Sequence, residues 1–244
     1  MATAAVSQTK QPERTGQQDR LFFSGIALLV LIAVSVGFAR TYFLAGAFWS
    51  KLPSAMVHVH GALFTLWIAL LVAQVALVAS RRTRWHMRLG IAGMFLAPLM
   101  VITGFATLIA AIKRRFVPPP VLQIITAQDI LLLCLFAFLI SWAFLARRDA
   151  PTHKRLVLCS TFLIIVPAIA RWPIMQNIDQ NLVVFYTFVN SFPALLVVYD
   201  LWTRRSLHRA TICGVVLMII LQLAVPVLAQ SALIGRTIAW LQRT

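Results

Sequence analysis

Residues 55–112 read AMVHVHGALFTLWIALLVAQVALVASRRTRWHMRLGIAGMFLAPLMVITGFATLIAAI, and this stretch decides the fold class. Two apolar runs, 55–80 and 89–112, flank the basic loop 81–88, and each is long enough to cross a bilayer core of about 30 Å. Backbone groups in lipid must be hydrogen-bonded internally, and the alternating pattern of a membrane β-barrel is absent. The stretch therefore predicts two transmembrane helices joined by a basic turn.

The same pattern extends along the chain, which is 61% hydrophobic and 11% charged, with a mean hydropathy of +0.87. A soluble domain is about 25% charged, so the composition excludes a water-soluble globular protein, a disordered chain and a coiled coil. We predict an all-α polytopic membrane bundle of seven transmembrane helices, over residues 21–45, 55–80, 89–112, 121–146, 156–172, 182–201 and 210–233. The transmembrane domain covers 21–244, and the polar residues 1–20 are predicted to form a flexible cytoplasmic tail.

Charge placement predicts the orientation of the bundle. The chain has 22 Lys and Arg residues against 6 Asp and Glu residues, a net charge of +16. With the N-terminus inside, most of these cations fall in the tail and in three inner loops, as the positive-inside rule requires, and only the outer loop KRRFVPPP runs against it. We expect a multi-pass protein of a bacterial inner membrane, with a cytoplasmic N-terminus and an external C-terminus. Its cations are expected to contact anionic phospholipid at the cytoplasmic face rather than nucleic acid, and a protein partner is left open.

The three inner loops share a weak repeat, RRTRWHMR, RRDAPTHKR and RRSLHR, in which an Arg pair precedes a His and a further cation. The repeat places His86, His153 and His208 at the inner ends of three spans. If the helical hairpins pack as a ring, these imidazoles could approach one another and bind a transition metal or haem. The alternative is that each histidine contacts lipid headgroups or caps a helix, because the flanking cations repel a metal ion.

A second group of polar residues lies in the outer half of the spans, where their burial is costly and marks a candidate ligand site. Asp129 is the acid placed well inside a span, and its expected partner is Arg40 or Arg171. The candidate ligand-binding residues are Arg40, His60, Gln128, Asp129, Arg171 and Asn190. The alternative is a structural ion pair with hydrogen-bonded amides.

His60 is also a candidate haem ligand in this outer layer. His58 and His60 are about 200° apart around a helix, so only one can face the bundle well. We favour His60, because the adjacent Gly61 allows a close approach.

The stretch HVHGALFTLWIALLVAQVALVASRRTRWHMRLG (58–90), with HKRLVL (153–158), resembles uncharacterised bacterial polytopic membrane proteins. That group is distantly similar to haem–copper oxidase assembly factors and to b-type cytochrome bundles. The resemblance implies a role for His60, His86 and His153, and makes haem the cofactor to test. The chain departs from b-type cytochromes because no span carries one histidine near each leaflet.

Three functional classes follow from these patterns. The first is an accessory or assembly factor linked to respiratory or haem metabolism, and the second is a carrier of a small molecule through the outer polar layer. The third is a structural subunit of a membrane complex. We find no catalytic constellation, so the sequence assigns no enzyme activity.

Overall fold

The computed structural model describes residues 11–48, 54–115, 117–176 and 181–243, which form helices joined by turns, with no strand among them. The helices, in chain order, are α1 (Gln11–Phe38), α2 (Ala55–Ala79), α3 (Thr83–Arg114), α4 (Pro119–Leu145), α5 (Ala150–Ile164), α6 (Val166–Ile169), α7 (Pro173–Gln176), α8 (Leu182–Arg204), α9 (Arg209–Ala229) and α10 (Ala232–Leu241). A π-helical turn, Ala39–Phe43, continues α1. The all-α prediction is therefore confirmed over the described ranges.

Six helices of the described chain, rather than seven, are by themselves long and apolar enough to cross a membrane. They are Gly16–Phe43, Ala55–Ala79, Thr83–Arg114, Pro119–Leu145, Leu182–Arg204 and Arg209–Ala229. The fifth predicted span, 156–172, instead forms α5 and the short α6, which are separated at Ile165. Pro167 explains the interruption, because it lacks an N–H donor and its ring clashes with the carbonyl of Leu163.

Helix α1 begins within the polar N-terminal segment 1–20. Residues 1–20 are predicted to be a flexible tail, but α1 begins at Gln11, and residues 1–10 lie outside the described part of the chain. Asp19 on this extension forms a 2.5 Å ion pair with Lys154 and accepts a hydrogen bond from the Tyr199 hydroxyl. These partners come from α5 and α8, so the local sequence could not show them.

Helix α5 forms the centre of the bundle and packs against α4, α8 and α9. Its residues from Leu158 to Ile164 are all buried. Small residues allow the close crossings: a Cβ added to Gly214 of α9 would lie 2.5 Å from the Cys159 sulfur. A Cβ on Gly37 of α1 would lie 2.2 Å from the backbone oxygen of Ala168 in α6.

The two ends of the bundle differ in charge. The turns α2–α3, α4–α5 and α8–α9 meet at one end, which we call the basic end. It carries nine exposed arginines among the described residues: Arg81, Arg82, Arg84, Arg88, Arg147, Arg148, Arg204, Arg205 and Arg209.

The opposite end, called the far end, is partly closed by the amphipathic helix α10. Ile234 and Ile238 of α10 pack on a small apolar cluster from α3 and α4. Gln242, just after α10, donates to the backbone oxygen of Ile112 at 3.2 Å and accepts through its own backbone oxygen from Arg115 at 3.2 Å. These contacts hold α10 against the bundle.

Candidate functional site

His153 lies near the beginning of α5 at the basic end, and its ring is held by a backbone contact. Its Nδ1 atom lies 2.8 Å from the backbone oxygen of Ala143 in α4. A carbonyl oxygen can only accept, so Nδ1 carries the hydrogen and donates it. In the neutral ring the Nε2 atom then keeps its lone pair, which is how metal-ligating histidines are usually oriented.

His86, in the first turn of α3, lies next to His153. The centres of the two imidazole rings are 6.5 Å apart, and the ring planes are inclined at 83°. The Nδ1 atom of His86 is buried and makes no hydrogen bond of good geometry among the described residues, although the ring interacts with the backbone of Gln74. The structure thus brings together two of the three inner histidines that the sequence singles out.

Gln74 of α2 completes this corner, although its sequence position gave no reason to select it. Its side-chain Oε1 atom is also buried without a partner in the described structure. The amide lies against α3, because a Cβ on Gly90 would be 3.6 Å from the Gln74 Nε2 atom. Buried polar atoms are normally hydrogen-bonded, so two orphaned atoms in one corner indicate a place for a further polar or metal-bearing group.

His208, the third inner histidine, has a structural role instead. Its Nδ1 atom accepts a hydrogen bond from the Ala210 backbone at 3.1 Å and so caps the beginning of α9. Burial, and then the positive charges of Arg155 and Arg204, hold the pKa of His208 below its usual range. The described residues contain no group of three His, Cys, Asp or Glu residues that could hold a metal ion. The capping interpretation of the sequence therefore applies to His208.

A buried ion pair beside this corner is the main feature that the sequence did not reveal. Arg155 and Asp200 are 2% and 0% exposed, and the Arg155 Nε atom donates to Asp200 Oδ1 at 3.0 Å. Asp200 also accepts from the Thr211 hydroxyl at 2.6 Å and from the His208 backbone at 3.1 Å. This network joins the beginnings of α5 and α9 to the end of α8.

One sequence interpretation is corrected by this ion pair. Arg155 was interpreted as a loop cation, yet its side chain is buried in α5 and pairs with Asp200, a second intramembrane acid besides Asp129 of α4. Arg155 and Asp200 both lie at the boundaries of apolar runs. There the sequence pattern cannot distinguish a residue in a solvated turn from a residue at the buried end of a helix. A signal was available, because Asp200 falls within the predicted span 182–201, one residue before its end.

At the far end, His60 is partly buried whereas His58 is exposed. The His60 ring packs 4.2 Å from the ring of Phe64, and its Nδ1 atom is buried with no hydrogen-bond partner among the described residues. The close approach that Gly61 permits is that of Tyr42, whose ring would lie 2.9 Å from a Cβ at this position. The aromatic neighbour of His60 is Phe64 and that of His58 is Tyr42, so these two histidines face different rings in the described structure.

The expected ion pair of Asp129 with Arg171 is absent from the described structure. Arg171 interacts electrostatically with Asp129, but no N···O contact within 4.0 Å joins them. The Arg171 guanidinium instead donates to the backbone oxygen of Pro167 at 2.7 Å and lies 5.0 Å from the centre of the Phe38 ring. The Arg40 guanidinium lies 5.2 Å from the centre of the Phe48 ring.

The two amides of the outer layer are placed differently from each other. Asn190 of α8 forms two reciprocal hydrogen bonds with Gln222 of α9, at 3.1 and 2.8 Å, so its polar groups join two helices. Gln128 lines a small cavity between α4, α8 and α9, together with Tyr186 and Met218. Among the candidate ligand residues of the outer layer, Arg171 therefore interacts electrostatically with both His60 and Asp129, whereas Gln128 and Asn190 lie at separate contacts between α4, α8 and α9.

Comparison with known proteins identifies no relative. No protein-family model, no curated protein and no solved structure matches the chain. The chemical interpretation of the basic end therefore depends on its own geometry.

Proposed function

We propose that this integral membrane protein is an accessory or assembly factor of respiratory or haem metabolism, and that His86 and His153 hold its redox-active metal centre. The observation that carries the proposal is the 6.5 Å approach of the two imidazole rings, which come from different helices.

The residues present fit a metal-bearing group. The bond from His153 Nδ1 to the Ala143 carbonyl leaves Nε2 available, and the buried Nδ1 of His86 makes no hydrogen bond of good geometry in the described structure. Imidazole nitrogens bind iron, copper and zinc. A bound centre of this kind would take part in electron transfer or be passed on to another protein. The protein's own residues would orient the ligands and exclude water.

The spectrum and metal content of the purified protein test this proposal. We expect a visible absorption band or a stoichiometric metal, with loss of either in His86→Ala and in His153→Ala. His208→Asn is the matched control, because it removes the third inner imidazole and supplies a good helix cap in its place. A protein that binds neither haem nor any transition metal when these are added would refute the proposal.

The proposed topology has seven crossings, in which α5 and α6 together form the fifth. Lys154 at the beginning of α5 pairs with Asp19 of α1, and Ala168 of α6 contacts Gly37 of α1. The α5–α6 segment therefore lies against α1 at both of its ends. Positions 19 and 37 are about 27 Å apart along a helix, close to the thickness of a bilayer core. This supports a cytoplasmic N-terminus at the basic end and an external C-terminus. A reporter fused after Thr244 should behave as external, and a cytoplasmic signal would refute the seven-crossing topology.

The proposed location is a bacterial inner membrane, with anionic phospholipid at the basic end. The nine exposed arginines listed above support this partner, and Trp85 and Trp202 are exposed beside them, as is usual at a membrane interface. Native mass spectrometry should show more retained phosphatidylglycerol than phosphatidylcholine. Arg204→Gln with Arg205→Gln should reduce this preference, and equal retention of both lipids in the wild-type protein would contradict the assignment.

A further inference from the structure

Helix α10 lies across the far end of the bundle. It follows directly on the end of α9, and a Cβ on its Gly235 would lie 3.7 Å from the Nε2 atom of Gln123, near the beginning of α4. Gln242, just after α10, contacts Ile112 and Arg115 at the end of α3. All three contact points lie at the ends of helices that are long enough to cross the membrane. Helix α10 therefore runs at one level along the membrane surface.

Two sides of α10 stay open after it packs on the bundle. Its buried side chains, Ile234 and Ile238, face α3 and α4. Leu233 and Trp240 are 66% and 63% exposed, and their spacing of seven residues puts them on one face. The exposed Arg236 lies about 60° to the side of this face. This arrangement is typical of a helix at a membrane interface, with apolar side chains in the acyl layer and a cation at the headgroups.

The end of α3 brings further cations to the same surface. The Arg115 guanidinium donates to the backbone oxygen of Gln242 at 3.2 Å, next to Arg243 in the chain. One N–H group is used by this bond, and the others remain for a ligand. In the described structure no carboxylate forms an ion pair with the exposed cations of this surface. We call them the far-end cations: Lys113, Arg114, Arg115, Arg236 and Arg243.

Neither topology nor the helix dipole accounts for the whole set. The positive-inside rule favours cations at the basic end, not here. The negative end of the α3 dipole favours Lys113 and Arg114, but Arg236 lies in the middle of α10. Guanidinium groups form charge-assisted, often bidentate hydrogen bonds with phosphate. A zwitterionic headgroup would bring its own cation into this surface, whereas an anionic headgroup supplies only the missing negative charge.

We propose that α10 and the end of α3 bind the headgroup phosphate of an anionic phospholipid in the leaflet at the far end. Arg115 and Arg243 contact the phosphate where the two helices join, and Leu233 and Trp240 lie along the acyl chains. The site is separate from the lipid contact at the basic end, because the two ends lie in opposite leaflets. It is also independent of the metal centre.

The exposed indole of Trp240 provides a direct readout of this site. The full-length protein is placed in nanodiscs of phosphatidylcholine that contain a minor share of brominated phosphatidylglycerol or, in a second series, of brominated phosphatidylcholine. Bromine quenches the fluorescence of a tryptophan that it contacts, and the difference between the wild-type protein and Trp240→Phe isolates this residue. We expect phosphatidylglycerol to associate at least about fivefold more strongly, since one cation near an anionic lipid contributes about this factor.

Substitutions and a soluble anion identify the source of the preference. Arg236→Gln with Arg243→Gln should remove most of the preference at Trp240, and both side chains are exposed, so the fold should persist. Arg204→Gln with Arg205→Gln removes the same charge at the basic end and should leave the preference at Trp240 unchanged. A large excess of inorganic phosphate should not displace the lipid.

Each of the opposite results would overturn the proposal. Equal quenching of Trp240 by the two brominated lipids would show that the headgroup is not selected. The absence of quenching by either lipid would show that α10 does not face the acyl layer. Equal losses in the two double variants would show a general effect of charge, and loss of the preference in excess phosphate would assign the far-end cations to a soluble anion.

Discussion

The buried ion pair allows a stability prediction of defined size. Arg155→Met keeps most of the side-chain volume but removes the guanidinium that faces Asp200. The carboxylate keeps two donors, the hydroxyl of Thr211 and the backbone N–H of His208, and loses its compensating charge. Removing one partner of a buried ion pair costs about 3–5 kcal/mol, because the other charge stays in a medium of low dielectric constant. With Asp200 at 0% exposure, we expect a loss of this size.

The adjacent residue provides a matched control. Lys154 is also on α5 and also pairs with an aspartate, but the side chains of Lys154 and Asp19 are 25% and 37% exposed. Pairs open to solvent contribute only about 0–1 kcal/mol. Lys154→Met should therefore destabilise the protein much less than Arg155→Met, although both substitutions remove one cation from neighbouring positions of the same helix.

The free energy of unfolding can be measured for the three proteins in mixed detergent micelles by circular dichroism. The double variant Arg155→Met with Asp200→Leu should recover at least half of the loss, because it leaves no unpaired charge. The contribution of an ion pair to stability is expected here to depend on its burial. This dependence would be refuted if Arg155→Met were within about 1 kcal/mol of the wild type, or if the substitutions at positions 154 and 155 had equal effects.

Three further predictions concern packing, an amide pair and pH. Gly37→Ala should lower the free energy of unfolding by about 1–3 kcal/mol, because the added carbon overpacks against the backbone of α6. Gly25→Ala should be tolerated, because the added carbon there meets nothing within 4 Å. Equal thermal stability of the two variants would contradict the close crossing of α1 and α6. Asn190→Leu should lower the free energy of unfolding by about 1 kcal/mol, and adding Gln222→Leu should partly restore it. A double variant that is less stable than either single variant would argue against the amide pair. Because the pKa of His208 is held below the unfolded value of 6.5, the unfolded state takes up the proton first, so stability should fall as the pH drops below 6.5. His208→Asn should flatten this profile of melting temperature against pH, and an unchanged profile would count against the role of the cap.

The helical framework was predictable because the bilayer imposes it. An apolar run of sufficient length must close its own hydrogen bonds, so α2, α3, α4, α8 and α9 follow the predicted runs to within six residues at each end. The exceptions have local or tertiary causes. Pro167 divides the fifth run, and α1 begins within the polar segment 1–20, where Asp19 contacts Lys154 and Tyr199 of other helices.

The candidate site was only partly predictable. The repeated loops identified His86, His153 and His208 as residues at one end, but the pattern treated all three alike. The structure separates them, because the His153 ring donates to a carbonyl of α4 while the His208 ring caps its own helix. Gln74 was not predicted, since a single amide in an apolar run has no distinguishing neighbours.

The sequence by itself determined the class of the molecule, its helices and the basic character of one end. These properties follow from local composition and from the solvent that such a composition requires. The tertiary structure alone decided which charges are buried and which imidazoles meet. Arg155 and Asp200 are 45 positions apart, and the two ring centres 6.5 Å apart belong to different hairpins. Pairings of this kind depend on how the helices pack, and no local pattern in the chain encodes the rotation of one helix against another.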